Sequence, residues 1–203
     1  MRLAVFGGTG HVGRRLVPLA LAAGHEVTVL VRNPAGLSGR ERLRILPGDV
    51  RDARAVDRVV EGADAVLSAL GTRSPRGDTI CAEAMRRILP AMRGHGVRRL
   101  VVVGAYGTGQ GHRGAYRAVM SLAIPAIMRD KDEQDALVRA EADLWTIVQP
   151  AVLTGGRYSG VYRTGTDLRL GLASRVSRAD VADFMLRAAG SEDCVRRAVA
   201  ITS

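Results

Sequence analysis

Ala4-Val5-Phe6-Gly7-Gly8-Thr9-Gly10-His11-Val12-Gly13 is the stretch on which the reading of this chain turns. The apolar run Leu3 to Phe6 reads as a strand, residues 11 to 23 read as a helix, and the glycines fall between them. Gly8, Gly10 and Gly13 satisfy G-x-G-x-x-G, while Gly7, Gly10 and Gly13 satisfy the G-x-x-G-x-x-G variant. One glycine permits the tight turn, another lets backbone amides approach a pyrophosphate, and the third lets helix and strand pack closely. The helix start then turns its positive end to the phosphates. Between a clear strand and a clear helix the pattern predicts a dinucleotide-binding turn, with Gly7, Thr9, Gly10, His11, Val12 and Gly13 as its contacts.

Outward from this turn, short apolar runs alternate with amphipathic ones. Val27 to Val31, Leu43 to Leu46, Ala65 to Leu70, Leu100 to Val103 and Trp145 to Val148 read as strands, several apolar throughout, as a sheet covered on both faces requires. Helical segments lie near residues 52 to 61, 77 to 94 and 130 to 142. Gly24 follows the first helix, Asp52 can cap the second, and Gly94 and Gly96 end the third, whereas Pro18 removes a hydrogen bond inside the first. Strand and helix in regular succession imply right-handed crossovers and a doubly wound parallel α/β sheet. Beyond Pro150 come an irregular Gly-rich stretch from Gly155 to Gly171, a helix from about Arg178 to Ala189 and a strand near Ala198 to Ile201. That is too little for a second domain, so residues 1 to 203 read as a single Rossmann-like domain with a short C-terminal segment on the substrate side.

The end of the second strand selects the dinucleotide. An NAD site places Asp or Glu there to bond the ribose hydroxyls, and this chain has Val31-Arg32-Asn33-Pro34. A carboxylate repels a 2'-phosphate and a guanidinium holds one, so Arg32 predicts NADPH over NADH, with Arg14 or Arg15 as a second cation. Asp49 and Val50 follow the third strand, where an Asp side chain and a backbone amide can meet the adenine edge. Ser68-Ala69-Leu70-Gly71-Thr72 ends the fourth strand with small residues that let the middle of the cofactor lie against the backbone. Gly104 and Ala105 after the fifth strand and Pro150 after the sixth complete the candidate cofactor contacts.

Composition narrows the partners. Hydrophobic residues at 47% and charged residues at 25% are those of a globular domain. The formal charge of +10 raises the question of nucleic acid, but the arginines are spread from Arg2 to Arg197 and only 3% of the chain is aromatic, against the clustering and stacking such binding needs. An anionic small molecule suits that charge better. Cys81 and Cys194 have neither metal nor redox spacing, so no metal is expected. No apolar run reaches the roughly 20 residues of a membrane span, and the expected location is the cytoplasm.

Val5 to Gly13, Glu26 to Asn33, Gly48 to Val50, Asp64 to Thr72, His95 to Val103, Trp145 to Pro150 and Val176 to Ala188 together resemble the atypical short-chain dehydrogenase/reductases. The likeness is to the branch with biliverdin IXβ reductase, also called NADPH-dependent flavin reductase, and NmrA-like proteins. It implies a Rossmann sheet of seven or eight strands, bound NADPH, and hydride transfer to a planar acceptor such as a flavin or quinone; with only 3% aromatic residues to hold it, a flavin is expected to be a diffusible substrate. A non-catalytic NmrA-like NADP(H) sensor and an NADPH-dependent keto-reductase of secondary metabolism are the alternatives, and monomer or homodimer stays open.

The departures bear on chemistry. Ala105 stands where the superfamily's serine is expected, no tyrosine is followed four residues later by lysine, and Ala151-Val152 follow Pro150 where the flavin-reductase relatives tend to carry a histidine. Lys131, the one lysine, resembles in its spacing to Trp145 the lysine of isoflavone-reductase-like enzymes, which implies a place near the nicotinamide; it reads as starting its helix, with Asp135 one turn on as a partner. Tyr106, Gln110, His112 and Tyr116 lie on a loop running to Ile124 on the substrate side, and Tyr106 is the first candidate to touch the acceptor.

Overall fold

The computed structural model describes residues 1–34, 41–71, 79–109 and 114–203. In chain order the elements are β1 Arg2–Phe6, α1 Gly13–Ala22, β2 Glu26–Val31, β3 Leu43–Pro47, α2 Ala53–Val60, β4 Ala65–Ser68, α3 Ile80–Gly94, β5 Arg99–Val103, α4 Ala115–Ala123, α5 Pro125–Glu141, β6 Leu144–Pro150, β7 Val152–Thr154, β8 Arg163–Gly165, β9 Arg175–Ser177, α6 Arg178–Gly190 and β10 Arg197–Thr202. Eight strands form one sheet in the order β3-β2-β1-β4-β5-β6-β10-β8. All its pairings are parallel except that of β10 with the edge strand β8. This is a Rossmann-like sheet.

Side chains alternate across each strand, so each run of apolar residues feeds two cores. Leu3, Val5, Val27 and Val29 point to the face covered by α1 and α6, where Leu16, Val17 and Met185 meet them. Ala4, Phe6, Val66 and Leu100 point to the face covered by α2, α3 and α5, with Val56, Met85, Ile88 and Val138. Burial on both faces is why the inner strands carry almost no polar residue, and why β3 at the edge is only half-buried. At the start of the inner strand β5, Arg99 is buried without a carboxylate: it donates to the Leu144 carbonyl at 2.7 Å, to Thr146 Oγ1 at 2.8 Å and to the Ala188 carbonyl, tying β5 to β6 and α6.

The strand order reverses at β1, which has β2 on one side and β4 on the other. Phe6 stands opposite Leu30 and Ser68, so the glycine turn, Arg32 and Ala69 leave the sheet side by side at the carboxyl ends of three adjacent strands. A ligand crevice belongs at that place.

Several expected elements are shifted. The first helix begins at Gly13 rather than 11 and carries Pro18 without ending there. The fourth strand stops at Ser68. The helix expected from 130 begins at Pro125, whose fixed φ and missing N–H suit a first helical turn. The loop expected to run to Ile124 contains α4, and the stretch expected to be irregular contains β8; β7 and β9 pair as a small separate parallel sheet. Thr72, Gln110, His112 and the first residues of the helix expected from 77 lie outside the described residues.

Candidate active site

Gly7, Gly10 and Gly13 shape the turn after β1. Gly7 has φ +80°, and a Cβ on it would come within 2.8 Å of the Ala69 backbone. Gly10 donates its N–H to the Gly7 carbonyl at 2.9 Å, closing the turn. A Cβ on Gly13 would lie 2.1 Å from that same carbonyl oxygen, so only glycine lets α1 start against the strand end. Gly8 serves packing: its Cβ would meet Val29 Cγ2 at 2.4 Å. The turn is thus built on the G-x-x-G-x-x-G triplet. No side chain caps α1 and no acidic residue occupies its first turn, so its positive end faces outward uncompensated. This is a cradle that suits a pyrophosphate.

The turn opens into one cavity of about 1010 Å³. Gly7, Thr9, Gly10, His11 and Val12 line it, whereas Gly13 lies behind them. Arg32 and Asn33 beyond β2 join the wall, and so does Arg14 but not Arg15. Asp49 and Val50 line it beyond β3, although the Asp49 carboxylate already accepts the Arg51 N–H at 2.9 Å. Ala69, Leu70 and Gly71 beyond β4, Gly104 and Ala105 beyond β5, and Pro150 at the end of β6 form the floor.

Lys131 reaches the same cavity, but its position differs from the one expected. It sits in the second turn of α5, is 5% exposed, and is held by the ends of two strands. Its ammonium donates to the Leu70 carbonyl at 2.9 Å, the Val103 carbonyl at 2.6 Å and Gln134 Oε1 at 3.2 Å. Asp135 is not its hydrogen-bonded partner: that carboxyl accepts from Thr108 Oγ1 at 2.6 Å and from Gln134 Nε2 at 3.2 Å. Burial holds the Asp135 carboxyl above the usual carboxylate range. The geometry agrees, since the single Thr108 hydroxyl proton faces both the Ala105 carbonyl at 2.7 Å and Asp135, and a protonated Asp135 can donate in its place.

Tyr106 also lines the cavity, but as a buried post. Its hydroxyl accepts the Leu170 N–H at 3.0 Å and its ring meets Tyr116 edge to face, with centroids 5.0 Å apart. Asp130, at the cavity wall, caps α3 from outside by accepting the N–H groups of Cys81 at 3.1 Å and Ala82 at 2.9 Å. The Cys81 thiol is pushed up to about 11 by burial. Sequence reasoning missed two groups of wall residues. Met120, Ile124 and Ile127 come from the unforeseen α4 and the early start of α5, for which Pro125 was the available signal. Arg178, from the first turn of α6, was hidden among 29 arginines with nothing to single it out.

Residues 7–192 match a family model described as NAD(P)H-binding, and the chain belongs to that family. The Bacillus subtilis protein YwnB is 26% identical over 194 residues, which span 92% of this chain and 89% of that one. ChuY from Escherichia coli O157:H7, described as an anaerobillin reductase, has the same fold with a TM-score of 0.81 at 21% identity, over 100% of this chain and 97% of that one. A Streptococcus pneumoniae protein described as a candidate NADH-flavin reductase gives the same TM-score of 0.81 at 21% identity, over 100% and 99% of the two chains. Among the described residues no group of three or more His, Cys, Asp or Glu is placed to hold a metal ion, and no helix is long and apolar enough to cross a membrane.

Proposed function

We propose that this protein is an NADPH-dependent oxidoreductase that delivers hydride to a planar conjugated acceptor, a flavin or a quinone, taken up as a diffusible substrate. The observation that carries this reading is the change of character along one cavity. One end offers the glycine turn with Arg14 and Arg32; the other offers Tyr116, Met120, Ile124, Ile127 and Leu153. A 2'-phosphate finds guanidinium at the first end, and a flat ring finds apolar walls at the second. Pockets for small molecules usually measure about 300–1,000 Å³. The roughly 1010 Å³ here is at the top of that range, as a dinucleotide with a second ligand requires. One protein of the same fold is described as a candidate NADH-flavin reductase and another as an anaerobillin reductase, which supports a reductase reading.

Bound NADPH supplies the hydride, from the nicotinamide ring. The chain's own residues position the reactants. Gly7 to Val12 hold the phosphates, Gly104, Ala105 and Pro150 give a flat floor, and Lys131 fixes the Leu70 and Val103 carbonyls so that the ends of β4 and β5 keep their spacing. Ala105 offers no hydroxyl, and the Tyr106 hydroxyl is held in place by accepting the Leu170 N–H. A conjugated acceptor spreads the arriving charge over its own rings, so orientation matters more than a side-chain acid. A saturated ketone lacks that outlet, which disfavours keto-reduction.

The test is NADPH consumption with free FMN, FAD or a polycyclic quinone. Turnover with at least one of them supports the proposal. Tight NADPH binding without turnover on any rejects it in favour of the non-catalytic sensor, a reading that Ala105 also suits.

A further inference from the structure

Among the described residues, the other enclosed guanidiniums have hydrogen-bonded partners at their terminal nitrogens. Arg99 meets three carbonyls and a hydroxyl, with its Nε alone unpartnered, and Arg117 meets Asp132 at 3.0 Å. Arg178 is the exception. It opens α6 and lines the acceptor end of the cavity with Val152 and Leu153, yet among the described residues it makes no hydrogen bond or ion pair, and its Nε is buried without a partner. A half-buried cation left in this state wants a counter-charge.

Nothing in the wall supplies one. The cavity-lining carboxylates Asp49 and Asp130 are taken up by backbone N–H groups. Asp180, the acid in the first turn of α6, is bound by Ser177 Oγ at 2.7 Å, Ser159 N at 2.9 Å and Gly160 N at 3.1 Å. The Ser177 cap and Asp180 are spent on the start of α6 itself and on the Ser159–Gly160 turn. The coenzyme phosphates are not the counter-charge either. Their cradle follows β1, whereas Arg178 follows β9, which pairs with the continuation of β6, three strands further along the sheet. Three strand spacings amount to roughly 14 Å. Its guanidinium lies beside Gly155, where a Cβ would stand 3.9 Å from Nη1 in ordinary van der Waals contact.

We propose that Arg178 binds an anionic group, a phosphate monoester or a carboxylate, carried by the acceptor. This deepens the oxidoreductase reading and takes the acceptor end of the cavity from it. The guanidinium fork fits either oxyanion bidentately and anchors the tail, while the apolar wall receives the ring.

Two matched pairs test it by fluorescence titration of the NADP⁺-loaded protein: FMN against riboflavin, and an anthraquinone carboxylate against the corresponding hydroxymethyl anthraquinone. The anionic member of at least one pair should bind about ten- to a hundredfold more tightly, the value of a charge-assisted hydrogen bond, and the pair that shows it tells phosphate from carboxylate. In Arg178→Gln that ratio should fall towards one, and Arg178→Lys should restore part of it, with circular dichroism and NADP⁺ affinity reporting that each variant is folded. Ratios near one in the wild type, ratios unmoved by Arg178→Gln, or no binding by any of the four compounds would overturn the proposal. A preference for the anion without NADPH consumption would reject hydride transfer and leave the anion site standing. Consumption without the preference would do the reverse.

Discussion

Gly13 has no room for a methyl group, because its Cβ would lie 2.1 Å from the Gly7 carbonyl oxygen. Gly71, on the same cavity wall, has nothing within 4 Å of such an atom. Gly13→Ala should therefore lose about 1–3 kcal/mol to overpacking, together with coenzyme binding, while Gly71→Ala keeps its stability; thermal unfolding and NADPH titration on the two variants check this. Arg32 is exposed at the mouth of the cavity, so its exchange tests recognition without disturbing the core. Arg32→Glu should weaken NADPH about ten- to a hundredfold and move NADH little, and an unchanged preference would remove Arg32 from the account. The glycines were legible in the sequence because each has a steric reason tied to its spacing. Arg178 was not, because what distinguishes it is the absence of a partner, a property of the folded chain alone.

At the scale of elements, α3 and α5 are joined by a cap that crosses between them. Asp130 accepts the first N–H groups of α3, so Asp130→Ala should cost about 1–2 kcal/mol, as the loss of an N-cap does. It should also loosen the turn that shields Cys81. In urea titrations the midpoint should fall, and Cys81, which its burial should keep silent towards a thiol reagent in the native wild type, should become reactive. A second link joins α5 to the loop after β5 through Asp135 and Thr108. Burial raises the Asp135 carboxyl above its unfolded value, so the folded state holds the proton more tightly. That contribution is complete below the unfolded value of about 4 and fades as pH rises towards the folded one. Asp135→Asn should accordingly gain stability relative to wild type as pH is raised from about 4, and parallel pH profiles would contradict this. Neither link was visible beforehand: the i, i+4 spacing of Lys131 and Asp135 suggested a pair, but three carbonyl oxygens, two of them at strand ends, claimed the ammonium.

For the whole molecule, the order of the inner strands followed from regular alternation, since each right-handed crossover leaves one place for the next parallel strand. The edges followed less well. β8 has only three residues and runs antiparallel to β10, and β7 and β9 have three each, too short for a period to register. Helix α4 was missed because it has only nine residues and follows the Gly-rich stretch after β5, which reads as a loop. These late elements build the acceptor end of the cavity, whereas the coenzyme end rests on the early and regular ones. Coenzyme recognition is thus the firmest link from sequence to function, and calorimetric titration with NADPH and with NADH at low ionic strength tests it most directly. One NADPH should bind per chain, at least about tenfold more tightly than NADH; equal affinities, or no binding of either nucleotide, would contradict coenzyme recognition by this turn and Arg32.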